Sequence, residues 1–283
     1  MESVFVTGAT GYIGSAACAC LRERGYAVAG LARSEESARK LADGGIGAVR
    51  GSLTDTDGLA GAARASDGVI HAAMESGAEA GERDRKAVEA ILDALAGSGT
   101  PFVYTSGSWV MGSTGGRVAG EMFPLNPAPG VAWRPAVERM VLDATERGVR
   151  GIVIRPALVY GRGGGLLTAL ASGALPWVGD GTNHWSFVHV DDLAGLYTLA
   201  LEQAPPGSIY VAARGPAIAV AEIAREFGSP AFVPVEDARE ELGPIADALV
   251  LDQKIGSTRA ARELGWRPSG AAVIEEIRRG YRP

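Results

Sequence analysis

The sequence predicts a doubly wound α/β fold, in which helices cover both faces of a parallel sheet. Three observations predict it. Short apolar runs alternate with segments of helical periodicity through the first half of the chain. These runs are apolar at nearly every position, which is typical of strands that are buried on both faces. A glycine-rich turn at residues 7–14 follows the first run directly and opens the first helical segment.

The first part of the chain contains strands and helices in regular alternation. Because right-handed crossovers return each strand to the same sheet, this alternation predicts parallel pairing. In chain order, the predicted strands are Val4–Thr7, Ala27–Ala32, Gly47–Arg50, Val69–Ala72, Phe102–Ser106 and Gly151–Arg155. The predicted helices between them are Tyr12–Arg24, Glu35–Ala42, Thr56–Arg64, Arg83–Ala96 and Ala136–Arg147.

The pattern loosens after residue 160, where the predicted elements become shorter and less regular. The strands predicted there are Ser186–Val188, Ser208–Ala212 and Ala231–Val235, and the helices are Asp191–Glu202, Val220–Glu226 and Ala271–Arg279. No long polar linker separates the two parts. We therefore predict a Rossmann domain over residues 1–160, to which residues 186–212 add a strand and a helix, and a smaller substrate-binding lobe over residues 161–283.

The charge balance excludes one class of function. The 283 residues include 33 acidic and 27 basic side chains, for a formal net charge of −6, whereas binding to nucleic-acid phosphates needs a basic surface. The sequence has neither an apolar run of about 18 residues nor a basic leader, so we expect a cytoplasmic protein without membrane attachment. His71, His184 and His189 fall in no metal-ligand spacing, and no metal site is predicted.

The glycine-rich turn predicts a dinucleotide site. Gly8 suits a tight turn, Gly11 lets backbone N–H groups approach a pyrophosphate, and Gly14 lets the helix lie close to the strand. Three glycines alone are weak evidence in a chain with 40 glycines. Their position between a strand and a helix makes the prediction specific.

The end of the second strand predicts which dinucleotide binds. An NAD site favours an Asp or Glu there, to bind the ribose 2′-hydroxyl, but this chain has Arg33 and Ser34. Arg33 can pair with a 2′-phosphate, and the Ser34 hydroxyl can donate a hydrogen bond to it. Arg39 and Lys40 are more distant cations. We predict NADP; the alternative is that Arg33 is an ordinary surface charge.

Motifs along most of the chain resemble one family. They are TGATGYIG at 7–14, GSLTD at 51–55, HAA at 71–73, YTS at 104–106, RPALVYG at 155–161, FVHVDD at 187–192 and LGWRP at 264–268. The chain resembles the extended short-chain dehydrogenase/reductases, in the NAD(P)-dependent epimerase/dehydratase and dihydroflavonol-reductase-like group. The resemblance runs from residue 4 to 268 and implies the fold more specifically than the reaction.

The resemblance also implies the role of each cofactor-binding residue. Near the pyrophosphate it places Gly8, Thr10, Gly11, Tyr12, Ile13 and Gly14, and at the adenosine phosphate Arg33 and Ser34. Ser52 and Leu53 would lie by the adenine, and Ala72 and Ala73 by the adenosine ribose and pyrophosphate. Thr105 and Ser106 would lie near the nicotinamide, whose face Pro156, Leu158 and Val159 would line. A homodimer is implied by the resemblance alone.

The chain departs from the family at the catalytic positions. The family uses a Ser or Thr and a YxxxK pair, in which the Tyr transfers the proton and the Lys lowers its pKa. Alignment on residues 127–138 puts Gly130 at the Tyr and Arg134 at the Lys, and Gly107 stands at the Ser. A second registration, with Trp133 at the Tyr and Val137 at the Lys, also lacks the pair.

Pro135 predicts where the following helix begins. Proline suits the first turn of a helix and pushes the preceding residue out of the α region. We therefore expect the helix to begin at residue 134–136, with residues 130–133 in a loop.

Three residues are candidates for the catalytic roles. Arg134 keeps its charge and can hold a ribose or a substrate oxygen, but it cannot act as an acid at neutral pH. Ser108 follows the fifth strand at its carboxyl end, where such sheets bind ligands. His184 precedes the FVHVDD motif and is an alternative acid. Asp191 and Asp192 are expected to cap the helix that follows.

Three functions remain open from the sequence. The first is an NADP(H)-dependent oxidoreductase that acts on a small organic carbonyl, enone or alcohol, with Ser108, water or a substrate group supplying the proton. The second is an isomerase, dehydratase or cyclase that retains its cofactor without net redox change. The third is an NADP-binding sensor without catalysis, which the missing Tyr–Lys pair favours.

Overall fold

The structure is a computed structural model that describes residues 1–256 and 258–279. Strands and helices alternate strictly as far as residue 105, and the alternation is less regular after it. The strands are β1 Ser3–Thr7, β2 Ala27–Ala32, β3 Gly47–Arg50, β4 Gly68–His71, β5 Pro101–Thr105, β6 Val118–Ala119, β7 Arg150–Pro156, β8 Leu158–Tyr160, β9 Trp177–Val178, β10 His184–His189, β11 Ser208–Ala212, β12 Arg214–Ala219, β13 Phe232–Val233 and β14 Lys254–Ile255.

The α-helices come in the same order along the chain. They are α1 Tyr12–Glu23, α2 Glu35–Asp43, α3 Thr56–Arg64, α4 Ala80–Leu95, α5 Arg134–Asp143, α6 Leu166–Ala171, α7 Val190–Gln203, α8 Val220–Glu226, α9 Val235–Leu242, α10 Ile245–Leu249, α11 Arg259–Leu264 and α12 Val273–Arg278. Short 3₁₀ helices cover Ser108–Met111, Pro129–Val131 and Ala144–Arg147. Within the described residues, none of the helices is long and apolar enough to cross a membrane.

A seven-stranded sheet with the order β11-β7-β5-β4-β1-β2-β3 forms the centre of the fold. The pairs β1–β2, β2–β3, β1–β4, β4–β5 and β5–β7 are all parallel. The order reverses beside β1, where a doubly wound sheet binds its ligand at the carboxyl ends of the strands. The predicted fold class is confirmed.

Continuously apolar strands are buried, as the sequence pattern indicated. Every residue of β4 is buried, and so are residues 4–7 of β1. At the start of α3, Asp55 accepts a hydrogen bond from the backbone N–H of Gly58 at 3.0 Å and caps the helix. This cap explains why α3 begins at the predicted residue.

The chain divides into two compact units. The first comprises residues 1–106, 136–154 and 193–209, and the second comprises residues 107–135, 155–192 and 210–283. The predicted domain boundary at residue 160 differs from this division, because residues 107–135 and 155–160 cluster with the second unit. Of residues 186–212, which were predicted to add to the first domain, only residues 193–209 belong to the first unit.

The second unit contains a three-stranded sheet of order β12-β10-β8. β10 pairs with β8 in parallel and with β12 antiparallel. An aromatic cluster lies in the core of this unit, with Trp177 and Trp185 stacked at 6.4 Å and Phe187 edge-on to Trp185. β10 is therefore anchored by its buried aromatic side chains.

The helix after Pro135 begins where that proline predicts. α5 starts at Arg134, and Gly130 lies in the separate 3₁₀ turn Pro129–Val131. α5 then ends at Asp143 and a 3₁₀ turn replaces its predicted last turn.

Two local predictions are wrong. The strand expected at residues 231–235 is only two residues long, because Pro234 precedes α9, which already begins at Val235. Asp192 does not cap α7: its carboxylate accepts hydrogen bonds from the backbone N–H groups of Ser269 and Gly270, and Asp191 pairs with Arg162 at 2.6 Å. The two aspartates are structural, but they stabilise other segments.

Candidate functional site

The glycine turn after β1 leaves no room for side chains. Gly8 has a φ of +69°, and a Cβ on it would lie 2.7 Å from backbone atoms of Ala72 and Ala73. A Cβ on Gly14 would lie 2.1 Å from the carbonyl oxygen of Gly8. Gly11 closes the turn by donating its N–H to the same oxygen at 2.8 Å. The close packing requires glycine at positions 8 and 14.

The glycine turn leads directly into α1, whose N-terminus is suited to binding an anion. α1 has 12 residues and its N-cap is Gly11. None of the described residues caps it with a side chain, and its first turn contains no acidic residue. First-turn N–H groups and the helix dipole together attract a phosphate. Thr10 is exposed and Tyr12 and Ile13 are half-buried beside this turn. The residues therefore fit the pyrophosphate of a dinucleotide.

Arg33 stands alone among the cations near the end of β2. Lys40 pairs with Glu36 at 2.8 Å, and both Arg39 and Arg50 pair with Glu35. Arg33 directly follows β2, is exposed, and forms no ion pair with any residue that the structure describes. A ligand phosphate could therefore bind the Arg33 guanidinium without breaking an ion pair between described residues.

Ser34, Ser52 and Leu53 already have local structural roles. The Ser34 hydroxyl accepts a hydrogen bond from the N–H of Ser37 at 3.1 Å and caps α2. The Ser52 hydroxyl is 2.8 Å from that of Thr54, and Leu53 is buried. Their roles toward the adenosine part of a cofactor stay predictions.

A buried polar network lies directly below the glycine turn, and the sequence analysis did not find it. His71 Nε2 is 2.9 Å from Oδ1 of Asp84, and His71 Nδ1 is 3.0 Å from the hydroxyl of Thr7. The Tyr104 hydroxyl donates to Oδ2 of Asp84 at 2.8 Å. The network joins the ends of β1, β4 and β5 to α4, and Thr7 immediately precedes Gly8. It thus fixes the strand end from which the turn begins.

The end of β5 contains an unpaired hydroxyl. Ser106 is 6% exposed, and its Oγ has no hydrogen-bond partner among the described residues. A buried hydroxyl without a partner is costly unless a ligand or water satisfies it. The preceding Thr105 lies 2.7 Å, hydroxyl to hydroxyl, from Tyr197 of α7. The orphaned Ser106 hydroxyl, at a carboxyl strand end, fits a ligand at the place predicted for the nicotinamide.

In the second unit, Ser108 is bound by a residue that the sequence analysis missed. The Ser108 hydroxyl donates to Oε1 of Gln253 at 3.0 Å, and Nε2 of Gln253 donates to the carbonyl oxygens of Ser108 at 2.8 Å and Gly112 at 2.9 Å. Ser108 and Gln253 are both buried, at 4% exposure each. Gln253 is 145 positions from Ser108, so no local spacing could have indicated the pair.

His184 is held by the residue next to Gln253. Oδ1 of Asp252 accepts hydrogen bonds from the backbone N–H and from Nδ1 of His184, both at 2.8 Å. The N–H of Gln253 in turn donates to the carbonyl oxygen of His184 at 2.8 Å. Ser108 and His184, two separate candidates in the sequence, are therefore brought to one polar cluster by consecutive residues, Asp252 and Gln253.

Arg134 is not a solvated helix-start residue. It is 6% exposed, and its guanidinium carbon lies 4.6 Å from the ring centroid of Trp133. The charge is therefore buried against an aromatic face. The neighbouring glycine at the expected tyrosine position is not required by packing, since a Cβ on Gly130 would meet nothing closer than Pro244 at 3.7 Å.

Tyr160 and Tyr104 are both occupied by structural hydrogen bonds. The side chain of Tyr160 is buried, its hydroxyl donates to the carbonyl oxygen of Ala271, and burial raises its pKa to about 12. The Tyr104 hydroxyl donates a hydrogen bond to Asp84 in the core of the first unit.

The residues predicted to line the nicotinamide lie beside the His184 strand. Pro156 ends β7, and Leu158 and Val159 belong to β8. β8 pairs with β10 so that Leu158 is opposite Phe187. His184 is thus three residues before this register position on the adjacent strand of the same sheet.

Comparisons with known proteins agree with this picture. The model of a family described as "NAD dependent epimerase/dehydratase family" matches residues 4–213. An uncharacterized protein of Saccharomyces cerevisiae is 34% identical over 98% of this chain and 98% of its own length. A 2-alkyl-3-oxoalkanoate reductase of Stenotrophomonas maltophilia is 29% identical, over 72% of this chain and 67% of its own.

Among solved structures, the fold matches that of a dTDP-glucose 4,6-dehydratase from Bacillus anthracis in complex with NAD. The TM-score is 0.82 with 18% identity, covering 99% of this chain and 96% of the other. At that identity the likeness concerns the fold alone.

Proposed function

The chain belongs to the NAD dependent epimerase/dehydratase family, and from that membership we propose that it is an NADP(H)-dependent oxidoreductase acting on the carbonyl group of a small organic molecule. The observation that carries the cofactor choice is Arg33, an exposed arginine directly after β2 without an ion pair among the described residues. An acidic residue at this place would favour NAD, whereas an arginine suits a 2′-phosphate.

The chain's residues divide the binding of NADP among them. The glycine turn and the N-terminus of α1 hold the pyrophosphate, and Arg33 pairs with the 2′-phosphate. Ser106 offers its buried hydroxyl at the nicotinamide end. When bound, the reduced cofactor would supply a hydride to the carbonyl carbon, and the chain has to provide the proton for the oxygen.

The proton comes from a group other than tyrosine in this proposal. Gly130 and Gly107 stand where the family has a phenol and a hydroxyl, and neither glycine has a side chain that can donate. Arg134 keeps its charge at neutral pH, so it binds an oxygen without acting as the acid. Ser108 and His184 remain as donors on the chain.

The reductase assignment is supported by a relative. The Stenotrophomonas protein is named for the reduction of a 2-alkyl-3-oxoalkanoate, so ketones with a second carbonyl nearby are suitable first substrates. A homodimer through the helices near 83–96 and 136–147 stays a prediction, which light scattering of the purified protein would test.

One experiment separates the three functions. The purified protein is incubated with NADPH and a panel of ketones, enones and 2-alkyl-3-oxoalkanoates, while NADPH absorbance and substrate consumption are followed together. Loss of absorbance with formation of the alcohol supports the oxidoreductase. Substrate conversion at constant absorbance would select the isomerase, dehydratase or cyclase. Tight NADPH binding without any conversion would select the sensor.

A further inference from the structure

Asp252 and Gln253 hold the two side chains of the second unit that could donate a proton. Gln253 binds Ser108, and Asp252 binds His184. The two residues are fixed through their own backbone: Asp252 donates its N–H to Ser113 Oγ, and its carbonyl oxygen accepts from Thr114 N at 2.7 Å. The hydrogen bonds that the side chains of Asp252 and Gln253 make therefore decide whether Ser108 or His184 can give a proton to a substrate.

The hydrogen bonds of Gln253 commit the proton of Ser108. Both carbonyl oxygens that face one end of the amide are acceptors, so this end must be the NH₂ group. The other end is then Oε1, which only accepts, and Ser108 must direct its hydroxyl hydrogen at it. Ser108 is buried as well, at 4% exposure. Its hydroxyl hydrogen holds the 3₁₀ turn after β5 and is not available to a substrate.

His184 has the opposite arrangement. Its Nδ1 faces the Asp252 carboxylate at 2.8 Å, which makes Nδ1 the protonated nitrogen of the neutral ring. Nε2 forms no hydrogen bond with any residue in 1–256 or 258–279, and about a third of the side chain is exposed. Carboxylate and imidazole thus present one free nitrogen in a fixed orientation.

We propose that Nε2 of His184 is the catalytic acid of the carbonyl reduction and that Asp252 is its positioning residue, an inference that rests on the proposed function. His184 begins β10, beside the strand whose Leu158 and Val159 are predicted to line the nicotinamide. In the step, the carbonyl carbon gains a hydride from NADPH and the C=O π electrons move to oxygen. The donor form of His184 is the imidazolium, in which both ring nitrogens carry a proton. The oxygen takes the Nε2 proton, which leaves the neutral Nδ1–H ring bound to Asp252, so a ketone, NADPH and one proton become an alcohol and NADP⁺. His184 then regains its proton from water.

The main competing explanation is structural. Asp252 Oδ1 also accepts the backbone N–H of His184, so the pair could simply join β10 to the segment before β14. His184→Asn separates the two explanations, because an asparagine amide can still donate to Asp252 from the place of Nδ1 while the Nε2 position is lost.

The experiment compares His184→Asn, Asp252→Asn and Ser108→Ala with the wild-type protein, with NADPH and 2-methyl-3-oxobutanoate as probes. Loss of a general acid lowers kcat by roughly 10²- to 10⁴-fold. We expect that loss for His184→Asn with an unchanged Kd for NADPH and an unchanged melting temperature. Ser108→Ala should lower kcat far less than His184→Asn does, because the Ser108 hydroxyl hydrogen is bound to Gln253. Asp252→Asn should lower kcat without raising KM.

A measurement without cofactor tests the dyad itself. Nitrogen-15 NMR of the histidine rings distinguishes the two neutral tautomers, and His184→Asn identifies the His184 signals. We expect the Nδ1–H tautomer in the wild-type protein and a change toward Nε2–H in Asp252→Ala. An Nε2–H tautomer in the wild-type protein would overturn the role of Asp252.

The outcomes also separate this inference from the proposed function. Wild-type turnover that His184→Asn leaves intact overturns the acid role and leaves the oxidoreductase standing. A wild-type protein that binds NADPH but reduces no ketone of the panel overturns the proposed function and the acid role with it.

Discussion

The hydroxyl of Tyr104 donates a hydrogen bond of 2.8 Å to Oδ2 of Asp84 inside the first unit. Asp84 is 3% exposed, although it lies on a helix whose neighbouring charges pair at the surface. The other carboxylate oxygen binds His71, which binds Thr7. A buried carboxylate of this kind is stable only while each of its oxygens keeps a partner.

Replacing Tyr104 by phenylalanine should therefore destabilise the protein. The change leaves Oδ2 of Asp84 without the Tyr104 hydroxyl, and an unsatisfied buried acceptor costs about 1–3 kcal/mol. Urea denaturation of Tyr104→Phe measures the loss. Tyr26→Phe is the control, since Tyr26 donates to Glu202 at 2.9 Å near the surface, where water replaces the lost bond. Equal losses in the two variants would contradict the special role of the buried network.

Replacing Arg33 by alanine should weaken NADPH binding and leave NADH binding unchanged. A hydrogen bond to a charged group contributes about 1.5–3 kcal/mol, which corresponds to roughly 10- to 150-fold in Kd. Arg39→Ala is the control, because Arg39 lies near Glu35 at 3.8 Å and has the same charge. Fluorescence titration of the wild-type protein and both variants with each cofactor gives the six affinities. If Arg33→Ala weakened NADPH and NADH equally, the 2′-phosphate assignment would be refuted.

Replacing Gly14 by alanine should abolish cofactor binding and lower stability. Its Cβ would lie 2.1 Å from the Gly8 carbonyl oxygen, a backbone atom that cannot move without opening the turn. Gly61→Ala in α3 is the matched control, because a Cβ there meets nothing within 4 Å. Alanine should stabilise that helix by about 0.5–1 kcal/mol. Calorimetry and NADPH titration of both variants check the pair, and NADPH binding by Gly14→Ala would contradict the packing argument.

The N-terminal strand should give the protein part of its sensitivity to acid. The pKa of Asp67 is lowered, first by hydrogen bonds from the backbone N–H groups of Glu2 and Ser3 and then by the Ser3 hydroxyl. Because the folded pKa lies below the unfolded one, the stabilisation is present above about pH 4, the unfolded value, and is lost as the pH falls through the folded pKa.

Asp67→Asn should therefore be less stable than the wild-type protein near neutral pH, with the difference shrinking in acid. Urea denaturation near neutral pH and again in acid, below about pH 4, measures the difference in the free energy of unfolding. Asp43→Asn is the control, since Asp43 makes no side-chain hydrogen bond with a described residue. In this variant, the change in the free energy of unfolding between the two pH values should be the same as in the wild-type protein. A stability difference for Asp67→Asn that does not depend on pH would argue against this anchor.

The parts of the molecule that were predicted from sequence have local causes. The glycine turn is recognisable because the backbone geometry that requires Gly8 and Gly14 lies within a segment of seven residues. The start of α5 follows from the fixed φ of Pro135. Apolar runs mark the strands because both faces of the sheet are covered.

The partners of the candidate catalytic residues have no such local cause. Asp252 is 68 positions from His184, and Gln253 is 145 from Ser108. Asp84, on a helix rich in charge, looks like a surface residue until the packing of α4 is known. Only tertiary structure brings these polar groups together, and a single sequence does not encode their pairing in any spacing.

The two glycines at the expected catalytic positions differ from those of the cofactor turn. A Cβ on Gly107 meets nothing within 4 Å, and one on Gly130 meets Pro244 at an ordinary contact distance of 3.7 Å. Neither position needs glycine for its backbone, so the predicted absence of the hydroxyl and the phenol would be a chemical difference that packing does not impose. Protein engineering can use this freedom: Gly107→Ser and Gly130→Tyr would introduce the family's proton donors one at a time, for comparison with the donor proposed at His184.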